Sequence, residues 1–411
     1  MSSGNSRARW LRRRLSLVAA IGLVMMTAPL GALAAPAEAG GAFRFGAPTV
    51  VFSRNYACCY EPSVAVDRKG RVFVTDAAGD AIAVSSDDGA HFTVRPAPPE
   101  LVGQNPLEGV LTPLRGQRCI CDAIVQVDPR GRFVYSTLAD AGVQVAVSSD
   151  AAKSWDSNTI IRTPKPDRQW IGFGPKNTVY AIWHSGAVAT PPVVFTSTSL
   201  DGGRTFGPPQ PFLPGTDIST LGPPVVDGAG RVYVPFTTGF LTGRVVGGAV
   251  AVAVSPGGVG TSSFVTHKVA ADWDGGFPIA AVDPRGTVVV AYGAGQSQAS
   301  TRARVSSSTD HGRSWSPPRT WSNEQINTSP WIKLREGRAD VLWYGDGEVM
   351  LTRGAPDGSG LHHTLVSHPV SPPQTDFAHF AYLHDGRVIA VFTDIAIYAS
   401  VELPLPSRHR R

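Results

Sequence analysis

The sequence lacks most of the short patterns that announce a chemistry. It has no G-x-G-x-x-G, no G-x-x-x-x-G-K-[ST], no H-E-x-x-H and no G-x-S-x-G. Phosphate-cradling loops, helical zinc pairs and nucleophile elbows depend on those spacings and are excluded with them. Long helical patterns are also missing. A single apolar run occurs, from Leu15 to about Ala28, and Gly and Pro interrupt it before it reaches the length of a membrane span. Cysteine is scarce: Cys58, Cys59, Cys119 and Cys121 form two tight groups without zinc-finger spacing or a nearby histidine. The ten histidines are scattered, so nothing calls for a metal or another cofactor.

The apolar run has its own meaning. Arg7, Arg9, Arg12, Arg13 and Arg14 precede it, and "GALAAPAEA" follows with small residues at Ala32 and Ala34. A basic segment, an apolar segment and an A-x-A type site read as a signal peptide over residues 1–34 and predict a secreted protein. "RRRL" at 12–15 faintly resembles a twin-arginine signal, and a plain secretory signal is preferred. The formal charge of +5 equals the five leader arginines, which no acid accompanies before Ala35, so the mature chain is neutral. Arg408, Arg410 and Arg411 lie in a basic tail, residues 403–411, and the body between is slightly acidic. Nucleic-acid binding needs a basic face and loses its support. In an exported chain an even cysteine count predicts disulfides. Cys58 lies nine residues before Asp67 and Cys119 nine before Asp128. Those offsets suit Cys58–Cys119 with Cys59–Cys121, and a strained vicinal Cys58–Cys59 bond is the alternative.

What the sequence has in quantity is glycine (44) and proline (34), set between short β-rich runs, which is an all-β signal. One unit recurs. It appears as "PSVAVDRKGRVFV", "AIVQVDPRGRFVY", "WIGFGPKNTVYAIW", "PPVVDGAGRVYVPF", "PIAAVDPRGTVVVAY", "WIKLREGRADVLWY" and "FAYLHDGRVIAVF". Each reads as two strands joined by a tight turn. The turn positions are Gly70, Gly131, Asn177, Gly230, Gly286, Gly337 and Gly386, at intervals of 61, 46, 53, 56, 51 and 49 residues. A period near fifty with about four strands per unit predicts a seven-bladed β-propeller, with six blades as the alternative. The last unit supplies three strands, and 43–53 ("FRFGAPTVVFS") is placed to provide the fourth and close the ring.

A second pattern keeps phase with the first: "SSDDGAHF" (85–92), "SSDAAKSW" (148–155), "SLDGGRTF" (199–206) and "STDHGRSW" (308–315). On these boxes the chain resembles the Asp-box (bacterial neuraminidase repeat) propellers of the sialidase superfamily, over about residues 42 to 402. The resemblance implies that the boxes are structural C–D turns facing away from the ligand. Ser85, Asp87, Gly89, Ser148, Asp150, Ser199, Asp201, Gly203, Ser308, Asp310 and Gly312 are then scaffold residues.

The opposite rim collects the residues at the start of each inner strand. Counting six back from each A–B turn aspartate, or its equivalent, selects Glu61, Asp122, Arg168, Leu221, Phe277, Thr328 and Phe377, with Asp376 beside the last. Glu61 and Asp122 form a candidate acid/base pair, and Arg168 a candidate clamp for a carboxylate. Trp170 and Trp331 are candidate sugar platforms, with core packing as the alternative. Tyr344, ending a B strand, is a candidate catalytic group. Sialidases use an arginine triad, a Tyr–Glu pair and an Asp acid/base. Here the Arg-Ile-Pro motif is missing and "FRFG" keeps only an arginine. The preferred reading is a monomer that binds a glycan or other extracellular ligand at this rim. A secreted, exo-sialidase-like glycoside hydrolase and a non-catalytic protein-interaction scaffold are the alternatives. An enzyme predicts a polar funnel, a binder an aromatic rim and a scaffold an exposed apolar patch.

Overall fold

A computed structural model describes residues 43–53, 61–75, 79, 81–99, 122–139, 141–185, 193–241, 244–256, 263–273, 276–295, 300–370 and 375–404. Residues 1–34, where a signal peptide is expected, the four cysteines and the tail from residue 405 lie outside the described residues.

The strands assemble into seven small antiparallel sheets, the blades of a seven-bladed β-propeller. In chain order blades 1 to 6 span 63–96, 124–162, 166–211, 220–270, 279–320 and 331–367. Blade 7 takes its three inner strands from 379–401, and its outermost strand is Thr49–Phe52, paired antiparallel with Ile397–Val401. Blade 4 departs from the common plan. Its inner strand is split into Thr220–Leu221 and Val225–Val226, both paired to Val232–Leu241. Pro223 and Pro224 occupy the gap and cannot donate to a ladder.

The repeat is visible in the backbone. Every A–B turn carries its left-handed residue where the sequence places it, from Gly70 (φ 77°) to Gly386 (φ 90°), with Asn177 (φ 64°) as the one substitute. Asn tolerates this region better than most residues. Asp67 Oδ1 accepts the amides of Lys69 and Arg71, both at 2.9 Å, and Asp128, Asp227 and Asp283 repeat that geometry. The second strands, such as Phe133–Ala139 and Val288–Ala294, are buried along their whole length. A neighbouring blade covers each face, so these strands read as unbroken apolar runs instead of alternating ones.

The four Ser-x-Asp loops share one internal design. Ser199 Oγ donates to Asp201 Oδ1 at 2.7 Å and accepts the Gly203 amide at 2.8 Å. Asp201 also accepts the Thr205 amide (2.9 Å) and hydroxyl (2.6 Å). Ser85, Ser148 and Ser308 make the same two bonds. Each loop joins the third and fourth strands of its blade, and Phe92, Trp155, Phe206 and Trp315 pack from it into the cores between blades. Blade 2 has Ala151 and Ala152 at the two left-handed positions where blade 3 has Gly202 and Gly203.

Ring closure is reinforced by charge. Arg353 makes a two-pronged pair with Glu402 (2.8 and 2.9 Å), reaches Asp340 at 2.7 Å and stacks on Phe43 at 4.0 Å. Tyr382 Oη donates to the same Asp340 at 2.9 Å. Phe52 is buried between blades 7 and 1, whereas its neighbour Val50 is half exposed. Phe52→Ala is therefore expected to lower unfolding free energy by about 3 kcal/mol, and Val50→Ala by under about 0.5 kcal/mol. Urea denaturation of both variants checks this, and equal losses would mean that Thr49–Phe52 does not belong to blade 7.

Candidate functional site

The rim opposite the Ser-x-Asp loops is organised around a buried guanidinium. Asp122 and Arg168 start the inner strands of blades 2 and 3, and both hold left-handed backbones, φ 64° and 47°. Such conformations cost about 1–3 kcal/mol each in a non-glycine residue and persist where the surroundings enforce them. The enforcement is mutual: Asp122 Oδ2 accepts the Arg168 amide at 3.1 Å, and the Asp122 carbonyl accepts the Gln169 side-chain amide. A register shift between Asp167 and Trp170 accommodates the bend.

Four blades then meet at one charge. Arg168 Nη1 and Nη2 reach Glu61 Oε2 and Oε1 at 2.5 and 2.7 Å, the two-pronged arrangement that is strongest for this pair. Nη1 also lies 3.3 Å from Asp122 Oδ1, and Nη2 lies 3.1 Å from Asp376 Oδ2. The guanidinium plane rests on Phe277 at 4.5 Å and on Trp170 at 5.7 Å. Other links hold the acids in place. Ser63 bonds the Val125 backbone and His379 Nδ1, tying blades 1, 2 and 7. The Ser329 hydroxyl accepts the Phe277 amide at 2.8 Å, and the Ser329 amide donates to the Asp376 carbonyl at 2.7 Å.

The acids titrate apart. Burial alone would raise Glu61, but the Arg168 charge and its hydrogen bonds reverse this and hold it at about 2. Asp122 is pushed up to about 8, by burial first and then by the Glu61 charge, against the pull of Arg168. Asp376, whose side chain is only partly withdrawn from water, is raised to about 7 by that partial burial and by its hydrogen bond to Glu61. Near pH 6 the cluster thus holds one anion, one cation and two protonated acids, both donating toward Glu61, and is neutral. Asp376 differs from the rest in access: its side chain is 54% exposed, against 10% for Arg168. Its proton is open to exchange.

A polar pocket begins at Asp376. It has a volume of about 380 Å³ and is lined by Gly276, Gly293, Thr301, residues 325–329, Thr375 and Asp376, drawn from the rims of blades 5, 6 and 7. Thr328 Oγ1, on its wall, is buried without a hydrogen-bond partner. Among the described residues, no group of three His, Cys, Asp or Glu side chains is arranged to hold a metal ion.

The remaining candidates fall elsewhere. Tyr344 is fully buried, donates to the Thr393 carbonyl at 2.8 Å and accepts the Thr393 amide at 2.9 Å. Burial pushes its phenol up, so it ties blade 6 to blade 7 and offers no nucleophile. Trp170 and Trp331 are also buried. Trp170 Nε1 donates to the Leu221 carbonyl at 2.9 Å, and Trp331 packs on Phe377 at 4.8 Å and on His379 at 4.1 Å. With Phe277 these rings plug the channel beneath Arg168; the two tryptophans, buried there, line a cavity on the propeller axis and leave no face on the rim for a sugar. Arg168, already surrounded by carboxylates, does not present a free clamp. One group was missed. His184 ends the B strand of blade 3, opposite Asp167, with Nε2 buried and unpartnered. Burial lowers it to about 4, so it is neutral at pH 7. "AIWHS" and "VLWYG" align at their tryptophans, so the step that selected Tyr344 would also have selected His184.

No family model matches the chain, and no curated protein does. Solved structures match its fold. A streptogramin B lyase superposes with a TM-score of 0.57 at 10% identity, covering 88% of this chain and 98% of that one. A polysaccharide lyase of a new family, an ulvan lyase, gives 0.57 at 14% identity, covering 87% and 95%. A protein of unknown function from Dyadobacter fermentans gives 0.52 at 13% identity, covering 88% and 99%. At these identities the likeness is one of fold.

Two outcomes follow. Arg168→Met leaves buried acids without their cation and is expected to cost about 3–5 kcal/mol near pH 8, as breaking a buried pair does; urea denaturation reads it. The second concerns pH. Asp122 and Asp376 bind protons more tightly when folded, so their contribution is complete below about 3.8 and is lost as pH rises through about 7 and 8. Glu61 acts oppositely, contributing fully above 4.5 and losing that as pH falls toward about 2. Between pH 7 and pH 8.5, above the range in which the buried neutral rings of His184 and His379 add stability with rising pH, unfolding free energy should therefore fall, with a shallower slope in Asp122→Asn. A rise over that interval would contradict the assignment.

Proposed function

We propose that this protein is an exported, sialidase-like Asp-box propeller, acting as a monomer, that binds a neutral glycan in the pocket bounded by Asp376. The observation that carries this reading is the double membership of Asp376, which belongs both to the charged rim cluster and to the polar pocket. The pocket wall supplies amides and hydroxyls from Gln325, Asn327, Thr328, Ser329 and Thr375, which suit the hydroxyls of a neutral sugar. Thr328 Oγ1 lacks a partner that a ligand hydroxyl would provide. Arg168 is already committed to three carboxylates, which argues against a sialic acid carboxylate as the recognised group. The uniform bonding of the four Ser-x-Asp loops supports the Asp-box kinship. The ulvan lyase of similar fold has also been solved bound to -[GlcA(1-4)Rha3S]-, so a propeller of this shape does host a carbohydrate.

A second reading is a glycoside hydrolase or another carbohydrate-cleaving enzyme. It is favoured by the polar lining of the pocket, where a binder predicted an aromatic rim, and by two neighbouring acids pushed apart, Glu61 to about 2 and Asp376 to about 7, the division an acid and its ionised partner need. The exposed Asp376 would be the proton donor. The scaffold reading has less support, because exposed apolar residues such as Val94, Val265 and Leu365 sit singly on the outer strands of different blades.

Calorimetric titration of the mature protein with neutral and acidic oligosaccharides tests the proposal. A neutral oligosaccharide should bind, and Asp376→Ala should weaken it at least tenfold, about 1.4 kcal/mol. Asp201→Ala should cost about 1 kcal/mol of stability and leave the affinity unchanged, since its loop lies on the opposite face. Exclusive binding of sialosides, or affinity indifferent to Asp376, would sink the neutral-glycan reading. Turnover of fluorogenic glycosides that Asp376→Asn abolishes would establish the enzyme reading.

A further inference from the structure

The propeller axis holds a second cavity, of about 510 Å³, lined by the inner strands of all seven blades. Its walls are mostly aliphatic: Val64, Val66, Ile124, Val127, Val226 and Leu334 are among them. Trp170 and Trp331 stand at the end nearer the Arg168 cluster. One lining residue is a lysine and none is Asp or Glu. Lys333 Nζ lies 6.0 Å from the Phe380 ring, and its side chain makes no ion pair or hydrogen bond among the described residues; Asp340, opposite it in the strand ladder, is taken up by Arg353 and Tyr382. Gln126, also in the lining, donates to the Ile171 carbonyl at 2.9 Å and leaves its Oε1 buried and unpartnered. His379, on the adjoining blade, already accepts the Val64 amide through Nδ1 at 3.0 Å and gives Lys333 no counter-charge.

Lys333 is half-buried beside aliphatic walls with no acid paired to it. An ammonium partly withdrawn from water in this way gains from an anion brought into the cavity. The cavity lies within the volume range of small-molecule sites, which are largely apolar with a few placed polar groups. An inorganic anion would satisfy the charge and leave the aliphatic walls empty. A molecule with one carboxylate and a short apolar tail would satisfy both.

We propose that the axial cavity is a binding site for a small amphipathic monocarboxylate, whose carboxylate pairs with Lys333 and whose tail lies along the aliphatic inner strands. Burial lowers the Lys333 ammonium to about 8, so it is still charged at pH 7 and ready to pair. This site is separate from the rim pocket, with which its lining shares no residue.

Octanoate is the probe, with octanol as the uncharged match of equal tail length. Isothermal titration at pH 7 should show octanoate binding to the wild-type protein at least tenfold more tightly than octanol. Lys333→Met keeps the bulk and removes the charge. It should fold about as stably as the wild type, because a half-buried side chain of similar length replaces the ammonium, and should lose the preference for octanoate. Lys333→Arg keeps the charge and should retain the preference. Octanoate and octanol binding equally to the wild type, no binding at all, or a preference that survives Lys333→Met would each overturn the proposal. So would an octanoate affinity lost in Asp376→Ala, which would move the ligand to the rim.

Discussion

A ring of sheets has to close, because every blade in it relies on two neighbours to cover its faces. Here the closing strand comes from the other end of the chain: Thr49–Phe52 completes the blade that Ile397–Val401 would otherwise leave with an open edge. The Arg353 network with Asp340, Glu402 and Phe43 sits at this joint and ties residues from near both chain ends to blade 6. A β-sheet edge is a row of unpaired backbone groups, so closure satisfies hydrogen bonding and covers apolar surface at once.

Closure also explains why the rim can bury charge. Inner strands of seven blades converge there, and groups far apart in sequence come within hydrogen-bond distance. Glu61 and Asp376 are 315 residues apart, and Arg168 bridges them. A single arginine in so dry a place needs carboxylates, and three carboxylates around one arginine cannot all be ionised. The result is a neutral cluster at mildly acidic pH with one solvent-facing proton, on Asp376. The aromatic plug beneath, from Trp170, Phe277, Trp331 and Phe377, gives the guanidinium its floor and separates the rim from the axial cavity.

Much of this was legible from residue types and spacing. Glycine or asparagine at seven regular turns identified the blades, since those positions demand left-handed backbone that few residues accept. The same counting brought Glu61, Asp122, Arg168 and Asp376 to one rim, because in a repeat fold an equal offset means an equal height on the axis. Counting did not give direction. Trp170, Trp331 and Tyr344 were selected at the correct height, yet their rings turn inward to fill the channel and the joint between blades. His184 stands in the register of Tyr344 and was passed over.

The sequence by itself determined the blade repeat, the turn that ends each inner hairpin and the internal bonding of the Ser-x-Asp loops, while seven blades against six was decided by the closed ring. All of these are local, governed by backbone conformation and by hydrogen bonds spanning a few residues. Only the tertiary structure decided that Arg168 is saturated, that Asp376 is the accessible acid and that Lys333 faces an axial cavity without a counter-charge. Those properties are set by desolvation and by distances between blades, and both exist only once the ring has closed.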